Sequence, residues 1–178
     1  MKKYALIYGG LAGLIIVLII TAALILTPGG LLTSTWMGYL IMLVALTMIF
    51  VGMKRYRDVE RGGVIKFLPA LGMGLATALV AAIVYVAVWE AYLAATNYAF
   101  FDQYLAAIQA QRQAEGVAPD AIAREIAAME SWRSAYNNPL VRIPVTFTEI
   151  LPVGLIVAFV SAALLRNPKL LPARPSTR

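Results

Sequence analysis

The chain of 178 residues contains no cysteine and no histidine. The first absence excludes disulfides, thiolate nucleophiles and iron–sulfur or zinc–thiolate centres, and the second removes the usual general base. Charge is also scarce, since Asp, Glu, Lys and Arg together make up 13% of the residues and only nine are acidic. Any chemistry would have to use carboxylates, hydroxyls, Lys or Arg. What fills the chain instead is hydrocarbon. Hydrophobic residues are 61% of the total and the mean hydropathy is +0.78, so most of the sequence is written for lipid rather than water.

Four apolar runs reach the length of roughly 20 helical residues that a hydrocarbon core of about 30 Å demands. They cover residues 5–26, 36–53, 67–89 and 145–165. The second is short, but Lys54 and Arg55 at its end can extend it by snorkelling. The first follows Lys2 and Lys3 as a signal peptide would, yet its length exceeds a typical signal core, so it is read as a retained span.

The net charge of +6 is placed for topology and not for nucleic acid. Lys2, Lys3, Lys54, Arg55, Arg57, Arg61, Lys66, Arg166, Lys169, Arg174 and Arg178 fall on one side of the four spans, which predicts that side, with both ends of the chain, to be cytoplasmic. The opposite side has an uncharged turn from Thr27 to Thr35 and a longer segment with Arg112, Arg124, Arg133 and Arg142. Trp36 and Trp89 stand at outer span ends, where indole rings anchor at headgroup level. Lys54, Arg55, Arg57, Arg61 and Lys66 exceed Asp58 and Glu60 in the cytoplasmic connection, so they are candidate contacts for anionic lipid headgroups. Gly62-Gly63 in the same connection lacks the Gly-Lys-Ser/Thr ending of a phosphate-binding loop and reads as a turn.

The segment between the third and fourth spans predicts an amphipathic helical hairpin over about 98–136. Phe100, Phe101, Tyr104, Leu105 and Ile108 recur at helical spacing, as do Ile122, Ile126, Met129, Arg133 and Tyr136. Gly116 suits a C-terminal cap, Pro119 a first helical position, and Asp120 a pair with Arg124 one turn on. The stripes suit packing together or on the membrane surface, or docking of an extracytoplasmic partner. Small-residue ladders, Gly9 and Gly13, then Ala70, Gly74, Ala78 and Ala82, then Gly154, Ala158 and Ala162, suit close helix contacts within the bundle or in a homodimer. The fold class is therefore all-α, a single membrane domain over 1–178: a four-transmembrane-helix bundle with the hairpin between its third and fourth spans.

Glu149 is the residue that hydrophobicity does not explain. A charge at membrane depth costs roughly 2.5–3.5 kcal/mol on insertion scales and marks a bundle interior, a cavity or a partner. Arg142, seven residues earlier, lies nearly on the same helical face and is the expected water-bridged counter-charge, with Glu90 at a similar level at the end of the third span. Asn97, Asn137 and Asn138 are near enough in sequence to complete a polar pocket, and Pro144 and Pro152 bracket Glu149. A purely structural role, a partner or lipid contact, and ion handling all suit such a carboxylate.

The run Val51-Gly52-Met53-Lys54-Arg55-Tyr56-Arg57-Asp58, the following Gly62-Gly63-Val64-Ile65, Asn138-Pro139-Leu140 and Phe147-Thr148-Glu149-Ile150-Leu151-Pro152-Val153-Gly154-Leu155 together resemble the bacterial membrane proteins grouped as domain of unknown function 4199. The resemblance extends from about Lys3 to Asn167 and implies a bacterial inner-membrane protein without supplying an activity. The Ala-rich hairpin departs from the more Lys- and Glu-rich one of many relatives. The functional expectation is a non-catalytic accessory or scaffold protein, without cofactor or metal, that contacts membrane lipids, a membrane-protein partner or a second copy. The alternative is a small oligomeric transporter or channel subunit using Glu149, with Glu90, for a cation or proton.

Overall fold

The computed structural model describes residues 1–26 and 35–173, so most of the turn from Thr27 to Thr35 and the basic residues Arg174 and Arg178 lie outside the described residues. Six helices follow one another: α1 Lys2–Leu26, α2 Thr35–Glu60, α3 Phe67–Ala95, α4 Phe100–Ala114, α5 Pro119–Asn137 and α6 Pro139–Leu165. The helices α1, α2, α3 and α6 are long and apolar enough to cross a membrane. All four outrun the apolar segments that announce them, α1 by starting at Lys2 rather than Ala5. α2 continues past Met53 to Glu60, α3 past Trp89 to Ala95, and α6 begins at Pro139 rather than Val145.

Small residues set the packing of the four spans. A Cβ added to Gly9 would lie 2.6 Å from the carbonyl oxygen of Thr77, and one added to Gly13 equally close to that of Ala81. α1 thus lies directly on the backbone of α3, running parallel to it. Gly74 meets Ala158 and Gly154 meets Ala78, which seats α6 antiparallel on the other side of α3. Without a hydrophobic force between helices in lipid, this close dispersion contact is what holds the bundle together. All three ladders are therefore occupied within one chain. α2 closes the bundle against α1, α3 and α6, with Leu46, Ile49 and Met53 wholly buried beside Ile16, Met73, Ile150 and Leu165. Outward the helices present Leu6, Leu18, Val44, Leu79, Ile83, Ile156 and Phe159, a surface suited to acyl chains.

The hairpin forms by local rules. Gly116 takes φ +72°, a backbone state that glycine adopts without cost, and the Val117 and Gly116 amides donate to the Arg112 and Gln113 carbonyls, closing α4 in a Schellman motif. Pro119 opens α5. Leu105 and Ile122 are buried and Ile108, Ile126 and Met129 half-buried, so the two stripes turn toward each other. The ionic ties differ from the expected Asp120–Arg124 pair, which does not form among the described residues. Arg112 instead spans the hairpin to Glu125 at 3.0 Å while holding Glu115, and Arg133 reaches Asp102 as well as Glu130. Hydrogen bonding from Gln111, then from Arg112, holds the Glu115 carboxyl below its usual range.

Candidate functional site

Polar residues converge at the end of the bundle where α3 ends and α6 begins. α3 closes with the Tyr98 amide donating to the Leu93 carbonyl at 2.7 Å and the Asn97 amide to Ala94, a Schellman closure that requires a left-handed residue. Asn97 fills it at φ +51°, and Tyr98 follows at φ +56°, an uncommon state for a bulky side chain. The strain places the Tyr98 ring against Arg142, with the guanidinium carbon 5.2 Å from the ring centroid. From the other side, Asn138 caps α6 by accepting from the Leu140 amide, and Pro139 supplies the first helical position. Arg142 then falls on the inward face of the first turns of α6.

Arg142 is 1% exposed, and every face of its guanidinium is used. Nε donates to one Glu90 oxygen at 2.7 Å and Nη2 to the other at 2.6 Å, a fork-to-fork pair. Nη1 donates to the Tyr136 carbonyl at 2.9 Å, and the Tyr136 ring lies 5.8 Å from the guanidinium carbon. Trp89 donates its indole N–H to the Tyr136 hydroxyl and stacks on Tyr92 and against Phe100. The expected headgroup anchor Trp89 is thus buried, because its one donor finds a partner inside the protein. A shallow recess bounded by Leu93, Phe101 and Asn137 opens beside Arg142.

Glu149 does not join this cluster. The expected pairing with Arg142 is corrected by the structure, because Glu90 from the neighbouring helix offers both carboxylate oxygens in the plane of the fork, a geometry unavailable along one helix. Glu149 lies about 10 Å deeper along α6, seven residues at 1.5 Å each. Inward positions of α6 run through Arg142, Thr146, Ile150, Gly154 and Ala158, whereas Glu149 belongs to the outward stripe with Val145, Thr148, Pro152 and Ile156. It is exposed and has no hydrogen bond or ion pair among the described residues. Tyr85 and Tyr136 lie within its electrostatic reach without bonding to it. α6 runs unbroken through Pro144 and Pro152.

At the opposite end, the headgroup candidates divide. Arg55, Arg61 and Lys66 are exposed, although Arg61 also donates to the Tyr56 hydroxyl and covers its ring. Lys54 is held by Asp58 one turn on. Arg57, also among the headgroup candidates, is covered by the chain itself and is 0% exposed. It donates through Nε to Asp58 at 2.8 Å, through Nη1 to the Leu170 carbonyl at 3.0 Å, and through Nη2 to the Leu171 carbonyl. The tail after α6 folds back over the helix end, a contact across more than a hundred residues that no local pattern announces. Tyr4 completes this end, donating to Glu60 and meeting the Tyr56 ring edge-on. Among the described residues no group of three or more carboxylates is arranged to hold a metal ion.

Four apolar helices of spanning length around a shared core, with polar clusters at both ends, are the make-up of a multi-pass α-helical membrane protein. The chain belongs to the family described as protein of unknown function (DUF4199), whose model matches residues 3–167. No curated protein and no solved structure matches it.

Proposed function

We propose that the protein is a non-catalytic accessory or scaffold protein of the bacterial inner membrane, with both ends of the chain cytoplasmic, that contacts another membrane protein through the outward stripe of α6. One observation carries this reading: Glu149 faces outward at membrane depth with no hydrogen bond or ion pair among the described residues, while Arg142 and Glu90 satisfy each other. A carboxyl group in hydrocarbon is stabilised by a hydrogen-bond donor on a neighbouring span, and a partner helix supplies what this chain does not. The engagement of Arg142 and Glu90 with each other argues for a fixed outer clamp rather than a relay leading to Glu149. The exposed Arg55, Arg61 and Lys66 support lipid contact at the other end.

The test is photo-crosslinking in native membranes with a reactive residue at Val145 or Ile156, both on the same stripe. A discrete adduct with a second membrane polypeptide is expected, reduced roughly tenfold by Glu149→Leu, as loss of one interhelical polar contact implies, and less by Glu149→Gln, which keeps a hydrogen-bonding group. An adduct unchanged in Glu149→Leu would sink the reading. Cation flux in reconstituted vesicles that disappears in Glu149→Gln would replace it with transport.

A further inference from the structure

Arg57 poses a question that structural capping does not answer. A fully buried guanidinium, at the end of the bundle richest in positive charge, directs two of its donor edges at neutral peptide carbonyls. Its one carboxylate partner, Asp58, is shared with Lys54. The carbonyls belong to consecutive residues, Leu170 and Leu171, so they present two oxygens side by side to the fork, the arrangement in which a phosphate presents its own.

The segment that supplies those carbonyls is weakly built. It has no regular structure after Leu165 beyond turns closed by Asn167, which accepts from the Lys169 amide through its side chain and from the Leu170 amide through its carbonyl. Leu171 is held at φ +50°, a state a leucine adopts only under constraint, with its side chain half exposed. Arg55, Arg61 and Lys66 at the α2–α3 connection and Arg166 and Lys169 in the segment itself belong to the same end of the bundle; all are exposed, and none of them carries an ion pair among the described residues. Their field concentrates anions where the strained segment sits.

We propose that Arg57 is a phosphate site for anionic lipid headgroups, closed by the chain's own C-terminal segment, whose Leu170 and Leu171 carbonyls occupy the positions of the phosphate oxygens. Binding exchanges two neutral acceptors for charged ones on the same fork and releases the strain at Leu171. The segment 166–173 then swings away from the α2–α3 turn, where Ala173 now faces Gly63. This deepens the lipid contact proposed for that end and is independent of the partner of Glu149.

The chain has no cysteine, so paired spin labels can be placed cleanly at Val64→Cys and Pro172→Cys, both exposed positions. The full-length protein is compared in phosphatidylcholine bilayers, in the same bilayers with phosphatidylglycerol, and in phosphatidylcholine with inorganic phosphate. A single short distance is expected in phosphatidylcholine and a longer population in phosphatidylglycerol. Opening by inorganic phosphate alone would support the phosphate site and name free phosphate as its source. Arg57→Gln should show the long population in every condition, so that the lipid dependence is lost. Leu171→Gly, which relieves the left-handed strain without touching the fork, should raise the phosphatidylglycerol fraction needed by roughly fivefold. Glu149→Leu should leave the shift intact, which separates the two proposals. Identical distances in all three bilayers, or a lipid response that persists in Arg57→Gln, would overturn the site.

Discussion

The two buried arginines, Arg142 at the hairpin end of the bundle and Arg57 at the end that holds the α2–α3 turn, are alike in burial and unlike in what holds them. Arg142 binds both oxygens of a carboxylate from another helix through Nε and Nη2, and two tyrosine rings flank it. Arg57 takes its carboxylate from the next residue in sequence and gives its fork to a strained, irregular tail. A charge neutralised between two long helices is a fixed clamp. A charge neutralised locally, with its best donors on neutral acceptors, is a grip that a better acceptor can release.

Breaking the Arg142 clamp should therefore have the largest effect. Arg142→Met strands Glu90 and the Tyr136 carbonyl and should cost about 3 kcal/mol, at the low end for a broken buried pair because Glu90 is 23% exposed and keeps water nearby. Thermal unfolding in detergent would measure it. Combining it with Glu90→Leu should recover most of the loss, since replacing both partners leaves no uncompensated charge. A double variant as unstable as the single one would mean that the tyrosines, not the ion pair, are the greater contribution.

The corresponding change at Arg57 should be milder. Arg57→Met leaves Asp58 paired with Lys54, and the freed Leu170 and Leu171 carbonyls belong to a segment that can turn them to water, so about 1–2 kcal/mol is expected. Equal losses at the two ends would erase the distinction between clamp and grip.

The smallest effect concerns the hairpin above the clamp. The Glu115 carboxyl is held below its usual range by Gln111 and Arg112. A carboxyl lowered in the folded state contributes stability that is full above its unfolded pKa and is lost as pH falls through the folded one. Hydrogen exchange in α4 and α5 should accordingly quicken in acid before exchange in α1 and α3 does. Simultaneous acceleration in all four helices would show that the hairpin and the bundle open as one unit.

Much of this was legible without the structure because it depends on short stretches of chain. Helix length against membrane thickness identified four spans, side-chain period identified the hairpin, and Gly116 and Pro119 marked its turn. The glycine and alanine ladders named the faces that touch, although only the packing showed that α1 and α6 use them against α3. What failed were pairings of charge. Helical phase placed Arg142 above Glu149, yet the better-shaped partner was Glu90, 52 residues away. Local crowding of charge marked Arg57 as a headgroup candidate without showing that the chain folds its own tail over it.

The sequence by itself determined the solvent of this protein, its four spans and the turn that folds its hairpin, because hydropathy and backbone propensity act over a few turns of helix. Only the tertiary structure decided that Arg142 and Arg57 are buried and that Glu149 stands outward without a partner among the described residues. A guanidinium takes whichever acceptors can meet its planar fork with correct geometry, and that geometry exists only once distant helices and the C-terminal segment have been brought together.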